Sequence, residues 1–208
     1  MPEPAPGFSI RPYQTSDLDA LYDICLKTGD TGEDATGLYD DPKLLGHLYA
    51  APYAVLEPEL TFVLEDSEGV CGYILGAFDS KTFYEGLESK WFPPLRERYP
   101  KPAGEENLTK DEMLINQLHR LGATYPPSYP SHLHVDLLPR AQGSGNGRAL
   151  METFLAALKD RGSSGVHLGT SPKNVRSEKF YLKMGFHELK RQEPHTLVMG
   201  KRLVVSGE

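Results

Sequence analysis

The segment "PRAQGSGNGRALM" (139–151) sets Gly143, Gly145 and Gly147 directly before an apolar, helix-forming run. Glycine loses more backbone entropy on ordering than any other residue, so three within five positions need a reason. A glycine turn leading from a strand into a helix aims several unbonded N–H groups at one point. The helix dipole adds about half a positive charge there. Such a place binds anions, phosphates above all. Three phosphate-binding patterns compete. A P-loop needs Lys then Ser/Thr after its last glycine, whereas Arg148 and Ala149 follow Gly147. A dinucleotide fingerprint needs Gly-x-Gly-x-x-Gly, and the uniform spacing of two excludes it. The third, Gln/Arg-x-x-Gly-x-Gly/Ala, fits Gln142, Gly145 and Gly147, with Gly143 secondary.

Proton chemistry has its own candidates. "HLHVDLLP" (132–139) carries Asp136 inside an otherwise apolar strand, where a carboxylate needs a partner or a purpose. His134 on the same strand has an ordinary pKa near neutrality; a buried, hydrogen-bonded histidine is the equal alternative. His132 and His167 are assigned to the core or its rim. Tyr181, in "NVRSEKFYLKMGF" (174–186), offers a phenol that can act as a general acid, or can pack with Phe180 on an apolar helix face. Glu33, Asp34 and Glu65 are outlying carboxylates. The acidic stretch 30–41, with Asp30, Glu33 and Asp34, either attracts an amine or is a solvated loop.

The elements that must position these residues follow from pattern. "FSIRPY" (8–13) is a short strand, and 15–29 an amphipathic helix capped by Thr15 or Ser16 with Leu18, Leu21, Tyr22 and Cys25 on one face. Residues 30–42 are a loop, and 43–49 a short helix. Strands 60–66 and 70–78 flank the turn "SEG" as a hairpin. Residues 79–130 hold Trp91, several tyrosines and many prolines, with a helix over 109–122 capped by Thr109; they are too proline-broken for a core of their own. Trp91, Tyr99, Tyr125 and Tyr129 there line a pocket or a dimer face, with core packing the alternative for Trp91. Strand 132–138 leads into the glycine turn. The next helix stripes Leu150, Met151, Phe154, Leu155 and Leu158 and stops at Gly162. Strand 165–171, helix 174–186, and strands 186–192 and 195–204 close the chain. The order implies an α/β protein, a mixed sheet covered by helices.

Bulk properties narrow the function. The 208 residues make one domain, 1–208, with 79–130 as an insertion. The net charge of −7 and the lack of a basic run argue against nucleic acid. No apolar run approaches ~20 residues, so no membrane helix is expected, and "MPEPAPG" lacks the apolar core of a signal peptide. Cys25 and Cys71 have neither metal-ligand spacing nor a disulfide framework, which suits the cytoplasm.

Gln142, Gly145 and Gly147, followed by Asn174, Phe180, Tyr181, Lys183, Gly185 and Phe186 in order and spacing, resemble the two signatures of the GNAT N-acetyltransferases. "FSIRPY", "FVLEDSEGVCGYILG" and "KWFPPLRERYPKP" are similar to the acetyltransferase-like C-terminal domain of O-GlcNAcase and its stand-alone bacterial relatives. The animal domain lacks a recognisable glycine cradle, which this chain keeps. The resemblance implies a sheet of about seven strands with a helical insertion between strands three and four. It implies acetyl-CoA as cofactor, held in a V-shaped opening between strands 132–138 and 165–171. Main chain at Asp136, Leu137 and Leu138 would hold the pantetheine arm. The N–H groups of Gln142, Gly143, Ser144, Gly145, Asn146 and Gly147 would take the pyrophosphate, and Arg148 an outer phosphate. Asn174, Ser177 and Tyr181 would line the arm's other side. Tyr181 would protonate the leaving thiolate, and Asp136 or His134 would take the proton of an amine that attacks directly in a ternary complex. The acceptor is a small-molecule amine or a protein lysine; the chain is a monomer or a homodimer. Asn146 departs from the family's branched apolar residue, a change expected to be tolerated because backbone makes the contacts. The alternative is a catalytically silent module that binds acetyl-CoA or a protein.

Overall fold

Strand β3 (Gly69–Ala77) is buried on both faces from Cys71 to Ala77, as an apolar run in the middle of a sheet must be. The computed structural model describes residues 3–104, 106–120 and 125–203. Around β3 it builds a sheet of seven strands with β1 (Ser9–Pro12), β2 (Thr61–Asp66), β4 (Ser131–Leu137), β5 (Gly165–Thr170), β6 (His187–Gln192) and β7 (Thr196–Arg202). Their order is β1-β2-β3-β4-β5-β7-β6, and every pairing is antiparallel except β4 with β5. The last predicted strand, 195–204, is β7; its final residue, Val204, lies outside the described residues. Gly76 lets β4 close against β3: a Cβ there would stand 2.1 Å from His132 O and 2.5 Å from Phe154 Cζ.

Helix α1 (Leu18–Lys27) covers one face and is followed by α2 (Leu44–Tyr49) and α3 (Ala51–Leu56). The predicted caps Thr15 and Ser16 are not used. Asp17 accepts from Gln14 N at 2.8 Å while Arg11 grips both its oxygens, because β1 delivers that guanidinium beside the helix start. Helix α3 was not read from the sequence, since Pro52 sits in its first turn, where a missing N–H costs nothing.

The segment between β3 and β4 is helical, as expected, and runs through α4 (Ser80–Gly86), a π turn (Leu87–Trp91), α5 (Phe92–Arg98) and α6 (Lys110–Leu118). Pro93 and Pro94 cannot donate to the preceding turn, and the ladder widens there into the π turn. Thr109 caps α6, accepting from Glu112 N at 3.2 Å; Leu121 and Gly122 of the predicted helix lie outside the described residues. The insertion is tied to the first helices by Tyr49 Oη to Gln117 Oε1 (2.6 Å), Trp91 Nε1 to His47 O (2.9 Å) and Tyr99 Oη to Asp41 Oδ2 (2.7 Å).

Helix α7 (Asn146–Asp160) covers the opposite face, and α8 (Val175–Lys183) follows β5. The stripe Leu150, Met151, Phe154, Leu155 and Leu158 is buried as predicted, each side chain contributing about 1.5–3 kcal/mol by leaving water.

Candidate active site

The parallel pair β4–β5 is joined only at Ser131↔Val166 and His132↔His167. Beyond these two rungs the strands part, while β4 stays paired to β3 as far as Leu137. Antiparallel hydrogen bonding alternates. Leu138 N donates to Cys71 O (2.8 Å), which assigns residues 138, 136, 134 and 132 to the β3 side. Leu137 and Val135 therefore turn their main-chain N–H groups towards the opening. Of Asp136, Leu137 and Leu138, the open donor is Leu137.

One end of the wedge meets the start of α7. Gly143 and Gly145 are both left-handed (φ +86° and +91°), a conformation that side chains resist, and a Cβ on either would meet nothing within 4 Å. Gly145 is the N-cap and supplies no side chain, so the first N–H groups of α7 stay unbonded by any cap. Gly147 is helical, and a Cβ there would make ordinary contact with Phe180 at 3.7 Å. Conformation thus requires glycine at 143 and 145, and Gly143 is not secondary in that sense.

Side chains hold the loop from behind. Gln142 Nε2 donates to Leu137 O (2.7 Å), and its Oε1 accepts from Arg176 Nη1 (2.6 Å). Asn146 is buried: its Nδ2 donates to Ala141 O (3.1 Å) and its Oδ1 accepts from Ala5 N (2.8 Å). An asparagine replaces the branched apolar residue here because the N-terminal segment passes under the loop and needs an acceptor. Ser144 shares the exposed loop, and Arg148 pairs with Glu152 at 2.6 Å. A groove of about 2450 Å³ runs from this loop along the wedge to the helices beyond. Arg148, Arg176, Lys179 and Lys183 line it, a local excess of cations on a chain of net charge −7.

The far wall is α8. Asn174 caps it, accepting from Ser177 N at 3.0 Å, and donates from Nδ2 to Thr31 O at 2.9 Å. Ser177 Oγ lies 2.9 Å from Thr170 Oγ1. Tyr181 packs between Phe180 and Phe186, so the packing reading holds for its ring. Its hydroxyl has no hydrogen-bond partner among the described residues and borders the groove. Burial, then the charge of Asp136, pushes the phenol pKa up, which keeps it protonated at neutral pH.

Asp136 and His134 project from β4 on the face of α1 and α3 and border the same groove. Tyr73 Oη, its cross-strand neighbour on β3, donates to Asp136 Oδ2 at 2.7 Å. Burial raises the Asp136 pKa, against hydrogen bonding from Tyr73 and the nearby Thr28. His134 Nε2 lies 3.1 Å from Tyr53 Oη; burial, then the positive charge His167 would carry, pushes it down to about 4. His134 is thus the buried, hydrogen-bonded histidine of the two alternatives, with its ring at the groove.

The outlying carboxylates separate. Glu65 pairs with Arg11 (2.8 Å), Asp34 accepts from Thr36 N and Oγ1, and Glu33 borders the groove. Of the insertion aromatics, Tyr125 stacks on Tyr84 at the groove, while Tyr129 is buried with its hydroxyl 3.0 Å from His187. Tyr73 and Tyr53 were missed. Both sit in apolar runs, and their bonds to His132, His134 and Asp136 come from residues distant in sequence.

An antiparallel sheet opened at its single parallel seam, with an uncapped helix start at the mouth, is the architecture of the GNAT class. Residues 121–186 match the Acetyltransferase (GNAT) family, and the chain belongs to that family. Over 205 residues it is 30% identical to Protein O-GlcNAcase of Rattus norvegicus and, over 203, 29% identical to that of Mus musculus. Each match takes in 94% of this chain and 22% of the longer relative. The crystal structure of SsHAT superposes with a TM-score of 0.87 at 41% identity, covering 96% of this chain and 100% of that one. Naa20 of Chaetomium thermophilum, solved with a bisubstrate analogue, shares the fold at 21% identity and a TM-score of 0.56 over 94% of this chain and 86% of its own.

Proposed function

We propose that this chain is an acetyl-CoA-dependent N-acetyltransferase acting on an amine by direct attack. The observation that carries the reading is the β4–β5 wedge opening onto the uncapped start of α7. The residues present fit the cofactor: free N–H groups at 146–148, left-handed glycines with open space before them, main-chain edges at Val135 and Leu137, and a cationic rim. When bound, acetyl-CoA supplies an activated acetyl thioester.

The chain's own groups supply the rest. The α7 start and residues 142–147 bind phosphates, and Arg148 reaches an outer one once it leaves Glu152. Leu137 N–H can hold a carbonyl oxygen as an oxyanion-hole donor, a role worth a few kcal/mol. Asn174 and Ser177 line the wall beside β5. Asp136 Oδ1, opposite the oxygen held by Tyr73, accepts the proton that an ammonium must lose before it attacks. Tyr181 Oη, protonated and at the groove, would donate a proton to a leaving thiolate and recover one from the attacking nitrogen, so protons would balance. The acceptor is a small-molecule amine or the side chain of a protein lysine.

The test is a broad amine panel with acetyl-CoA, read as free thiol. We expect turnover of at least one amine, and a loss of about 10²–10⁴-fold in kcat for Tyr181→Phe with cofactor affinity unchanged. Saturable cofactor binding without turnover of any amine would contradict the enzyme reading and leave the silent binding module. An unchanged kcat in Tyr181→Phe would remove that residue from the mechanism.

A further inference from the structure

The groove wall behind His134 contains a chain of hydrogen bonds whose directions are all determined. Ser80 Oγ lies 2.6 Å from Pro130 O, and a carbonyl only accepts, so the single serine hydrogen goes there. Ser80 Oγ also lies 2.8 Å from His132 Nδ1. With its hydrogen committed, the serine oxygen must accept, and His132 carries its proton on Nδ1. His132 Nε2 then holds a lone pair and accepts from Tyr53 Oη at 2.9 Å. The phenol has given its only hydrogen, so it accepts from His134 Nε2 at 3.1 Å. His134 Nδ1 is left with the lone pair, and this nitrogen is not a sealed, unpartnered atom. The ring borders the groove two residues from Asp136 on the same strand face.

Aromatic packing fixes the rings in these planes. Phe83 stacks on Tyr53 at 4.4 Å and 19°, and Tyr84 lies over His132 at 5.5 Å and 10°. Ser80, Phe83 and Tyr84 all come from α4, the first helix of the insertion. The chain ends at a main-chain carbonyl, which takes no proton, so it orients and does not conduct. Burial keeps both imidazoles neutral at neutral pH, as the lock requires.

We propose that Ser80, His132 and Tyr53 are positioning residues that lock His134 in its Nε2–H tautomer, so that its Nδ1 lone pair accepts a hydrogen bond from the acceptor amine and aims the nitrogen at the acyl carbon. This rests on the reading of the groove as an amine site. It divides the work on β4: Asp136 removes the proton, and His134 orients the nitrogen. It also gives the insertion a function, since α4 supplies the fixed end of the lock.

The test is long-range ¹H–¹⁵N correlation on the full chain with ¹⁵N-labelled histidine at neutral pH. The expected result is opposite tautomers two residues apart: His132 protonated on Nδ1, His134 on Nε2. The same tautomer at both, the reverse pair, or an imidazolium at either position would overturn the lock. Tyr53→Phe keeps the ring that packs on Phe83 and removes only the hydroxyl. In that variant His134 should show a mixture of tautomers, and the amine KM should rise about tenfold with kcat and cofactor affinity little changed. An unchanged His134 tautomer and KM would also overturn it. The tautomers are read without turnover, so this result stands apart from the outcome of the amine panel.

Discussion

Asp136 shows how a site residue is held at a cost to the fold. Burial disfavours its charged form, and hydrogen bonding from Tyr73 and the nearby Thr28 offsets only part of that. A carboxyl whose folded pKa lies above the unfolded value binds protons more readily in the fold. Its contribution is therefore lost as pH rises from the unfolded pKa through the folded one, and at neutral pH the ionised group destabilises. Asp136→Asn keeps an acceptor for Tyr73 and removes the buried charge. We expect its Tm at neutral pH to rise, measured by calorimetry, while kcat falls by about 10²–10⁴-fold. A lower Tm would show that the carboxylate is better compensated than its neighbours indicate. Candidate residues were legible where the sequence set them apart: Asp136 as a carboxylate in an apolar strand and Tyr181 in its motif, and the fold brings both to one groove. Tyr53, Tyr73 and Ser80 were not, because their roles depend on cross-strand and helix-to-strand contacts that no local spacing encodes.

At the scale of elements, the glycine turn is shaped by what lies behind it as much as by its own backbone. Asn146 ties Ala5 and Ala141 to the first turn of α7 through a buried amide. Asn146→Ala should leave Ala5 N–H and Ala141 C=O unpaired and cost about 1–3 kcal/mol, seen as a shift in denaturant midpoint without a change in slope. A neutral substitution would mean that water replaces both bonds. The helix over 146–160 and its stripe were legible from period alone. The π turn and α3 were not, since proline there reads as a break: Pro52 sits in a first turn that needs no donor, and the ladder widens before Pro93 and Pro94. The parting of β4 from β5 was implied only by family resemblance. Strand sequences do not encode where pairing stops; here it stops after two rungs, and Gln142 Nε2 takes the place of a strand partner at Leu137 O.

For the molecule as a whole, the histidines on β4 and β5 make stability depend on pH. His132, His134 and His167 stay neutral because burial disfavours imidazolium. A histidine whose folded pKa lies below its unfolded value of about 6.5 stabilises above that pH and loses the contribution as pH falls through the folded pKa. For His134 that window runs from about 6.5 down to about 4 and is worth on the order of 3 kcal/mol. Asp136 and Glu57, both raised by burial, act in the opposite sense, but they are two carboxyls against four histidines, since burial lowers His47 as well. Unfolding free energy, measured by urea titration at stepped pH, should fall steeply between about pH 6.5 and 4. A flat profile there would show that the imidazoles are not held neutral. Across the same scale residues of the insertion, of α1–α3 and of the β4–β5 seam line one shared groove, and none of the described helices is long and apolar enough to cross a membrane.

The central claim is that the seam and the start of α7 together form an acetyl-CoA site. Calorimetric titration of the chain with acetyl-CoA tests it most directly, with Gly145→Val as the paired variant, because a branched residue resists φ +91° at the N-cap. The account predicts one saturable site per chain with a Kd below about 1 mM, and its loss in a Gly145→Val protein that still unfolds cooperatively. No binding at millimolar acetyl-CoA, or equal binding by the two proteins, would contradict it.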